Sequence, residues 1–319
     1  MNSVNPLFRW QGSAPVTPGR YQVTNSGRSD GTSALAGTPP PGLDDAAKVD
    51  HMCGRYASAR SRIELLEEFV VQRDRVDEPL TPDYNVAPTK PVYAVMTRKS
   101  RQDRQPAADL AQSGPPDSAP AAARELRIVR WGLVPSWAKD ISIGSRMINA
   151  RSETVSEKPS FRNAFARRRC LLPADGYYEW QQPPAGTKGP KQPYFICRPD
   201  HGVLAFAGIY ELWRDRSMPE NDPAAWLWTA AVITTTAPDE LGEIHDRMPM
   251  VIDRASWGDW LDPANSDAAD VRALLAPAAA HGLITYPVSL AVNSVRNNGP
   301  ELVKEAEPVS PGSGGRSDA

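Results

Sequence analysis

Cys53 is the residue with the greatest reactive potential, because of its place in the segment Met52-Cys53-Gly54-Arg55-Tyr56. If translation begins at Met52, or if the chain is cut before Cys53, this cysteine carries a free α-amine. The amine, with a pKa of about 8, can form a Schiff base with an aldehyde, and the thiol, with a pKa of about 8.5, can then close a thiazolidine ring. An internal cysteine cannot do this. Taken alone, a cysteine is more often a small buried hydrophobic residue.

Two residues could move protons beside such a nucleophile. Glu179 stands between Tyr178 and Trp180, and desolvation by aromatic rings raises the pKa of a carboxyl group to a range suited to acid–base catalysis. An exposed strand glutamate is an equally good interpretation. His245 follows a predicted helix, whose C-terminus favours the imidazolium form, so it could act as a general acid near neutral pH. On sequence alone, an ordinary structural histidine is the better interpretation of His245.

Asn149 and Arg151 could bind a sugar phosphate together. They are two residues apart, so in an extended segment their side chains share one face. The asparagine offers a donor and an acceptor, and the arginine fork suits a phosphate. A turn asparagine and a salt-bridged arginine are the structural alternative.

Trp131 and Trp137 flank Gly132 and Pro135 in a rigid loop rather than in a periodic core element. Polar and cationic residues near them in sequence are Asn85, Arg130, Arg146, Arg151 and Arg167–Arg169. Stacking rings together with phosphate-binding cations are typical of proteins that bind single-stranded nucleic acid. The other interpretation is a core role, which we predict for Trp226, Trp228, Trp257 and Trp260.

Composition limits the classes of function. The 319 residues carry a formal net charge of -2, which excludes a globally basic nucleic-acid binder but not a local basic groove. The three cysteines form no CxxC pair and the four histidines are scattered, so we expect no disulfide scaffold, no metal site and no cofactor. No apolar run reaches the roughly 18 residues of a membrane span, which favours a cytoplasmic protein.

The elements that must position these residues are mostly strands. Residues 1–51 are polar and are predicted to be a disordered extension or a mis-assigned start, and residues 100–123 are predicted to be a low-complexity insertion. Predicted strands cover residues 92–96, 126–129, 170–173, 194–197, 203–209, 226–235 and 283–288. Predicted helices cover residues 61–71, 160–168, 257–261 and 271–275, with one more from a capping box at residues 236–239 to His245. Strands do not alternate with helices, which predicts an α+β fold dominated by antiparallel or mixed sheet.

Six motifs occur in an order that closely resembles the SRAP family, the SOS response-associated peptidases, understood as abasic-site processing proteins. They are Met52-Cys53-Gly54-Arg55-Tyr56, Tyr84-Asn85-Val86-Ala87-Pro88-Thr89, Trp131-Gly132-Leu133-Val134-Pro135, Asn149-Ala150-Arg151-Ser152-Glu153, Gly176-Tyr177-Tyr178-Glu179-Trp180 and Ile244-His245-Asp246-Arg247-Met248-Pro249. The segment from Val292 to Asn297 resembles the family's ending, so the resemblance runs from about Met52 to Leu302.

The resemblance implies one mainly β domain over residues 52–304, with a bifurcated, partly barrel-like mixed sheet, short surrounding helices and a disordered tail at 305–319. Cys53 would be the mature N-terminus and would crosslink to the aldehyde of an abasic site. Asn149 would hold the cysteine amine and the sugar, Glu179 would move protons, and His245 would assist ring opening and reversal. Arg151 would grip a phosphate in a basic channel. Further DNA contacts would come from Gly54, Arg55, Asn85, Pro88, Arg130, Trp131, Trp137 and Arg247.

The implied protein acts in the DNA damage (SOS) response, with lyase-like and autoproteolytic activity. Its partners would be abasic single-stranded DNA and single-strand/duplex junctions, with no membrane. It would be a monomer, cytoplasmic and nucleoid-associated when bound to DNA. The chain departs from the family because 51 residues precede Met52. The alternatives are an N-terminal-nucleophile amidohydrolase that uses the Cys53 amine as a base, and a non-catalytic binder of single-stranded DNA or modified bases.

Overall fold

The computed structural model describes residues 54–99, 122–219, 221–275 and 282–309. Cys53 lies outside these ranges. The predictions for the extension at 1–51, for the insertion between residues 100 and 121 and for the tail from residue 310 also fall on residues that are not described. Everything below refers to the described part of the chain.

The described residues form thirteen strands and five α-helices. The strands are β1 (Tyr56–Ser58), β2 (Arg73–Asp74), β3 (Asp83–Val86), β4 (Pro91–Lys99), β5 (Ala122–Trp131), β6 (Asn149–Arg151), β7 (Arg169–Ala174), β8 (Gly176–Gln181), β9 (Gln192–Cys197), β10 (Leu204–Arg214), β11 (Trp226–Thr236), β12 (Arg247–Pro249) and β13 (Ile284–Pro287). The helices are α1 (Arg62–Glu68), α2 (Arg162–Arg167), α3 (Asp239–Gly242), α4 (Trp257–Leu261) and α5 (Ala268–Ala273).

The strands make two sheets. The first has the order β13-β9-β8-β1-β3, and the second has the order β12-β11-β10-β7-β4-β5-β2. A parallel pairing of β5 with β11, in which Arg130 faces Thr229, closes β11, β10, β7, β4 and β5 into a five-stranded barrel. Strand β6 adds to β11 in parallel. The prediction of a mainly β, α+β fold with a partly barrel-like mixed sheet is therefore confirmed.

Alternation along the barrel strands separates two hydrophobic clusters. On β4, Ala94 and Met96 belong to one cluster, whereas Tyr93 and Val95 belong to the other, because successive side chains point to opposite faces of a strand. The cluster of Tyr93 and Val95 also contains buried residues of the helices, such as Trp260 of α4. Helices cover that face, so the cluster of Ala94 and Met96 fills the barrel interior.

Several predicted elements are found with adjusted ends. The predicted helix over residues 61–71 is observed as Arg62–Glu68, and Ser61 forms a capping box with Glu64 at its start. Helix α4 matches its predicted bounds. The predicted buried strand at residues 170–173 is observed as Arg169–Ala174, in which every residue is buried.

The cationic run Arg167–Arg169 at the end of α2, which the sequence analysis grouped with possible phosphate-binding residues, is not exposed along its whole length. Arg168 forms an ion pair with Glu211, with an N–O distance of 2.6 Å. Arg169 begins β7 and is 4% exposed. Its guanidinium donates hydrogen bonds to the carbonyl oxygens of Phe165, Ala166, Trp260, Asp262 and Asn265. Arg169 thus joins the ends of α2 and α4 and has no surface for a DNA strand.

Two other predictions are wrong. Helix α3 ends at Gly242 and does not reach His245, and the predicted capping box at residues 236–239 is not formed, since the N-cap is Pro238 and makes no side-chain hydrogen bond. His245 lies in the turn before β12. Trp226, predicted to be a core residue, is 48% exposed, because it starts β11 at the rim of the barrel. Within the described ranges, no helix has the length and apolar character needed to cross a membrane.

Candidate functional site

The start of β1 lies beside Glu179. Strand β1 pairs antiparallel with β8, with Tyr56 facing Tyr177, and the Tyr178 amide donates to the Arg55 carbonyl oxygen at 3.0 Å. Continuing this register brings Gly54 opposite Glu179. Gly54, the first described residue, therefore lies opposite the candidate proton carrier.

Glu179 is a buried residue of β8 with 3% of its surface exposed. It faces Tyr194 across the β8–β9 pairing. The interpretation of Glu179 as an exposed strand glutamate is thus excluded, although its sequence neighbours Tyr178 and Trp180 belong to a cluster on the other face of β8. A side chain added at Gly54 would have nothing within 4 Å, so the start of β1 opens onto space.

Trp131 connects β1 to the strand that carries Asn149. Its ring makes an edge contact with Tyr56 at 5.0 Å between centroids, and its Nε1 donates to the Ile148 carbonyl oxygen at 3.0 Å. The side chain is 1% exposed. The ring therefore differs from the expected stacking platform, since both faces are covered by protein. Trp131 instead holds Asn149 at a fixed distance from β1.

Asn149 and Arg151 are on one face of β6, as their spacing predicts. They face Val232 and Thr234 of β11, while Ala150 between them is buried on the opposite side. Arg151 is exposed at the end of this strand. Its side chain is thus accessible to solvent on the strand that carries Asn149.

Arg247 is held by the protein rather than presented to a ligand. It is 9% exposed and forms a two-pronged ion pair with Glu153, with N–O distances of 2.6 and 3.0 Å. It also donates to the Thr234 carbonyl oxygen at 2.8 Å. These hydrogen bonds hold the pKa of Glu153 below its usual range. The pair ties β12 to the segment that follows Arg151.

His245 is half-buried next to β12, and its Nδ1 has two partners. The backbone N–H of Arg247 donates to this nitrogen at 3.1 Å, and Asp246 Oδ1 lies 3.1 Å from it. When Nδ1 accepts from the amide, the neutral ring carries its proton on Nε2. When the ring is protonated, Nδ1–H can face Asp246. Both protonation states therefore have a partner, as a proton carrier requires.

A weak contact brings the turn of His245 to the strand of Glu179. Gln181 Nε2 of β8 donates to the Glu243 carbonyl oxygen at 3.4 Å, and Gln181 also accepts from Tyr194 at 3.2 Å. The two predicted proton carriers thus lie on elements that touch each other.

Asn85 and Arg55 form a buried clamp under the start of β1. Asn85 is 0% exposed, and its Nδ2 donates to the carbonyl oxygens of Val292, Ser294 and Asn297 at 3.0–3.2 Å. Its Oδ1 accepts from Arg55 Nη1 at 2.8 Å. Burial lowers the pKa of Arg55. The amide of Asn85 is fully engaged within the protein, so in this structure it holds the segment of residues 292–297 in place.

The remaining expected DNA contacts differ in exposure. Trp137 is 57% exposed, so its ring can stack on a base. Arg130 is half-buried at the end of β5, and Pro88 is half-buried in the loop before β4. Gly132 adopts a φ of 125°, and a Cβ there would lie 2.5 Å from the Gly144 carbonyl oxygen. This close approach explains why the loop that carries Trp137 contains a glycine.

Trp180 is a site residue that the sequence analysis did not select. Its Nε1 donates to Asn293 Oδ1 at 2.7 Å, and the Arg55 guanidinium lies 5.9 Å from its ring centroid. The signal was present in the Gly176–Trp180 motif, where Trp180 directly follows Glu179. It links β8 to the same 292–297 segment that Asn85 binds.

The other two cysteines are structural. Cys170 and Cys197 are both 0% exposed, and burial raises the pKa of each thiol. Neither is a reactive thiolate at neutral pH. Within the part of the chain that the structure describes, no group of three His, Cys, Asp or Glu side chains could hold a metal ion.

Comparison with known proteins identifies relatives over most of the chain. The sequence profile of the family described as SOS response associated peptidase (SRAP) matches residues 52–295. The abasic site processing protein YoqW of Bacillus subtilis is 36% identical over 253 residues, which cover 79% of this chain and 99% of that protein. The abasic site processing protein HMCES of Gallus gallus is 32% identical, over 80% of this chain and 78% of that protein. A crystal structure of a Bacteroides thetaiotaomicron protein aligns with a TM-score of 0.61 and 25% identity, covering 80% of this chain and all of that one.

Proposed function

The chain belongs to the SRAP family, and from this premise we propose that it processes abasic sites in single-stranded DNA. In this proposal the mature protein begins at Cys53 and forms a covalent thiazolidine with the opened sugar of the abasic site. Support comes from relatives that are named abasic site processing proteins. Further support comes from the geometry of the described residues around the start of β1.

The observation that carries the proposal is the pairing of β1 with β8. It brings Gly54 opposite the buried Glu179, and Trp131 joins the same strand to Asn149. In this proposal, the nucleophile that precedes Gly54 meets a proton carrier and an amide hydrogen-bonding group within one site. This is the arrangement needed for condensation of an aminothiol with an aldehyde.

The proposed reaction releases one water. The Cys53 amine attacks the C1′ aldehyde carbon and gives a carbinolamine, which loses its hydroxyl group as water to form the Schiff base. The thiol sulfur then adds to the carbon of the protonated Schiff base, whose nitrogen keeps its hydrogen, and the thiol proton returns to Glu179. Glu179 donates a proton to the departing hydroxyl group and takes up a proton in the second step, because a buried carboxyl group can exist in both forms near neutral pH.

His245 and Asn149 have separate roles in this proposal. His245 donates a proton that assists opening of the ring form of the sugar, and it accepts a proton during reversal. Its Nδ1 has one partner in each protonation state, so the ring can change charge without losing its position. Asn149 holds the amine and the sugar at the end of β6.

DNA binding in the proposal is local rather than global, since the whole chain is slightly acidic. Arg151 binds a phosphate next to the reacting sugar, and Trp137 stacks on a neighbouring base. The clamp of Arg55 and Asn85 and the pair of Arg247 and Glu153 hold the walls of the site in place.

Two finer activities belong to the same proposal. Hydrolysis of the Met52–Cys53 peptide bond by the chain itself would create the free amine, which is the peptidase activity. A Schiff base that is not trapped by the thiol acidifies the adjacent C2′–H, and loss of the 3′ phosphate by elimination gives the lyase-like activity. The peptidase activity acts on the amide nitrogen of Cys53, and the lyase-like activity uses the same nitrogen after it has become a free amine.

The test compares three proteins on an abasic oligonucleotide. The chain that begins at Cys53 is expected to form an adduct that survives denaturation, and its Cys53→Ala variant is expected to form none. The full chain with Met52 verifiably retained is expected to bind DNA without crosslinking, because its Cys53 nitrogen is an amide whose lone pair is delocalised into the Met52 carbonyl. Intact mass identifies each product.

A heat-stable adduct on the Cys53→Ala variant, or on a chain that retains Met52, would overturn the proposed chemistry. Binding without any adduct on the chain that begins at Cys53 would favour a non-catalytic binder. Turnover of small amides by that chain, with no adduct on DNA, would favour an amidohydrolase.

A further inference from the structure

The sheet that carries the candidate site places one side chain directly beside Glu179. Strand β8 lies between β1 and β9, so Glu179 has a neighbour on each side. Gly54 lies on the β1 side when the register of β1 and β8 is continued, and it has no side chain. Tyr194 of β9 faces Glu179 on the other side, and residues paired in this way have Cβ atoms about 4.5–5.5 Å apart. Across the sheet, Tyr194 is therefore the side chain that borders Glu179.

The alternation of side chains along β8 and β9 fixes the face on which this contact lies. Tyr177 belongs to the cluster that fills the barrel interior, whereas Tyr178 and Phe195 belong to a different cluster on the opposite face. Glu179 follows Tyr177 by two residues and therefore shares its face. Tyr194 directly precedes Phe195 and points away from the second cluster for the same reason. Glu179 and Tyr194 thus lie together on the face that is turned toward the barrel.

The Tyr194 side chain is held in this place by Gln181. Gln181 follows Glu179 by two residues on β8 and lies on the same face. The Tyr194 hydroxyl group donates to Gln181 Oε1 at 3.2 Å, and Gln181 Nε2 donates to the Glu243 carbonyl oxygen at 3.4 Å. The ring therefore extends along β8, from the position opposite Glu179 toward Gln181. Its hydroxyl end is connected to the turn that precedes His245.

The exposure of the two paired residues indicates what the ring does. Glu179 is 3% exposed, whereas Tyr194 is half-buried and has one part in contact with solvent. Tyr178 and Trp180 pack on the other face of β8 and cannot cover the carboxyl group. The cover on the β9 side of Glu179 therefore comes from Tyr194.

We propose that Tyr194 is a positioning residue, which holds the Glu179 carboxyl group in place and excludes water from it, and that Gln181 fixes the Tyr194 ring. This inference rests on the proposed function and adds to it a residue that acts through Glu179. A group that donates and accepts protons has to keep its position relative to the reacting atoms, since a displacement of about 1 Å can cost a hundredfold in rate. Because Gln181 also bonds to the turn before His245, the same ring connects the two proposed proton carriers.

The first measurement requires no reaction. The full chain is labelled with an NMR-active isotope at the carboxyl carbons of glutamate, and the signal of Glu179 is the one that Glu179→Gln removes. A soluble paramagnetic agent broadens the signals of exposed carboxyl groups. Tyr194→Ala is expected to move the Glu179 signal and to make its broadening resemble that of exposed glutamates. Tyr194→Phe keeps the ring and is expected to change the signal little.

The matched control is Tyr286→Ala. Tyr286 is a half-buried tyrosine of β13 in the same sheet, and it packs against the cluster on the face opposite Glu179. Its removal is expected to lower the midpoint of thermal unfolding but to leave the Glu179 signal unchanged. The control thus separates a loss of stability from a loss of cover at Glu179.

The second measurement asks whether the ring acts through Glu179. Single-turnover crosslinking is followed for the chain that begins at Cys53. Tyr194→Ala is expected to lower the rate by about tenfold to a hundredfold, with no change in affinity for an oligonucleotide that carries a tetrahydrofuran analogue, which has no aldehyde. Gln181→Met, which removes both hydrogen bonds, is expected to give a smaller loss. Tyr194→Ala in the Glu179→Gln protein is expected to cause no further loss, because the two effects are then coupled rather than additive.

An unchanged Glu179 signal in Tyr194→Ala would overturn the inference. An equal loss of rate from Tyr194→Ala in the wild-type and Glu179→Gln proteins would also overturn it, since it would indicate a general structural role. Thermal unfolding checks that each variant is folded, and Tyr194→Val, with a residue favoured in strands, replaces Tyr194→Ala if that variant is not. Absence of any adduct on the wild-type chain that begins at Cys53 would overturn the proposed function. The first measurement would then still decide whether Tyr194 holds Glu179.

Discussion

The two ends of the barrel hold their arginines in opposite ways. At the end that carries the candidate site, Arg247 has its own carboxylate, Glu153, in a two-pronged pair, and Arg55 is fixed by Asn85. At the other end, several arginines share Glu125 at 2.9–3.9 Å. At the first end each of these arginines has a partner of its own, whereas at the second end three arginines approach one carboxylate.

The proposed function gives a reason for the fixed arginines at the first end. Covalent chemistry depends on the placement of reacting atoms, and an error of about 1 Å can cost a hundredfold in rate. The sequence analysis selected one arginine on β6 and one on β12. Arg151 on β6 is exposed, whereas Arg247 on β12 is buried.

The largest effect on the crosslinking rate is expected when one of two buried carboxylates, one at each end of the barrel, is replaced by an amide. Glu179→Gln keeps the shape of the side chain but removes the proton carrier, so the crosslinking rate should fall by about 10²–10⁴. Glu125→Gln, at the other end, should leave the rate on a short abasic oligonucleotide unchanged. Single-turnover crosslinking by the chain that begins at Cys53 measures both. Equal rates for the Glu179→Gln and wild-type proteins would contradict the assignment of Glu179.

Removal of the clamp should have the largest effect on stability. Asn85→Ala leaves three carbonyl oxygens and the Arg55 fork without their buried partner, which should cost about 3 kcal/mol. The midpoint of thermal unfolding should fall by about 6–12 °C, at roughly 2–4 °C per kcal/mol for a domain of this size. Asn163→Ala, an exposed asparagine on α2, serves as control and should change the midpoint little. A small change for Asn85→Ala would show that the clamp does not stabilise the fold.

The pair of Arg247 and Glu153 gives a pH-dependent effect. The pKa of Glu153 in the folded protein lies below its unfolded value of 4.5. The ion pair therefore contributes fully to the free energy of unfolding above pH 4.5, and this contribution is lost as the pH falls through the pKa of the folded protein. Arg247→Met should lower the unfolding free energy by about 2 kcal/mol at pH 7, and the difference from wild type should shrink below pH 4.5. Denaturant unfolding at several pH values measures it.

The matched control for this pair is Arg272→Met, which breaks an exposed ion pair with Glu157 at 3.5 Å. Exposed pairs contribute only about 0–1 kcal/mol, so this variant should show a small change with little pH dependence. The same pH dependence in both variants would mean that the fixed geometry at Arg247 has no energetic consequence.

The smallest effect concerns two exposed tryptophans, one near each end. Trp137→Ala should weaken binding of a short single-stranded oligonucleotide by about 1–2 kcal/mol, the usual worth of one stacked base. Trp226→Ala removes a ring of similar exposure, 48% against 57%, and should leave binding of the short oligonucleotide unchanged. Fluorescence anisotropy separates the two variants, and equal losses would place the strand elsewhere.

Local sequence patterns were sufficient to predict most strands and to predict that the side chains of Asn149 and Arg151 lie on one face of a strand. The continuous apolar run at residues 170–173 can only be a buried strand, and β7 contains it. The spacing of two residues on β6 gives one face whatever the rest of the chain does. The same alternation puts Tyr178 and Trp180 on the face of β8 opposite Glu179, so the burial of Glu179 does not come from these two neighbours.

Roles that depend on distant residues could not be predicted in this way. The sequence shows Arg169 as one of three cations, but its carbonyl partners at the end of α4 are 91–96 residues away. The partners of Asn85 lie 207–212 residues away. Trp131 is buried because Tyr56, from another sheet, packs against its ring. Tertiary contacts therefore turned predicted DNA contacts into positioning residues.

The pairing of β1 with β8 also imposes an order of events during synthesis. Ala59, at the end of β1, and Asp175, at the start of β8, are 116 residues apart and meet through a hydrogen bond. At about 5–20 residues per second, the ribosome needs roughly 6–23 s to make the chain between them. A separate enzyme that trims the chain can expose Cys53 during this interval. A cut that depends on Glu179 has to wait until β8 has been made and has docked against β1.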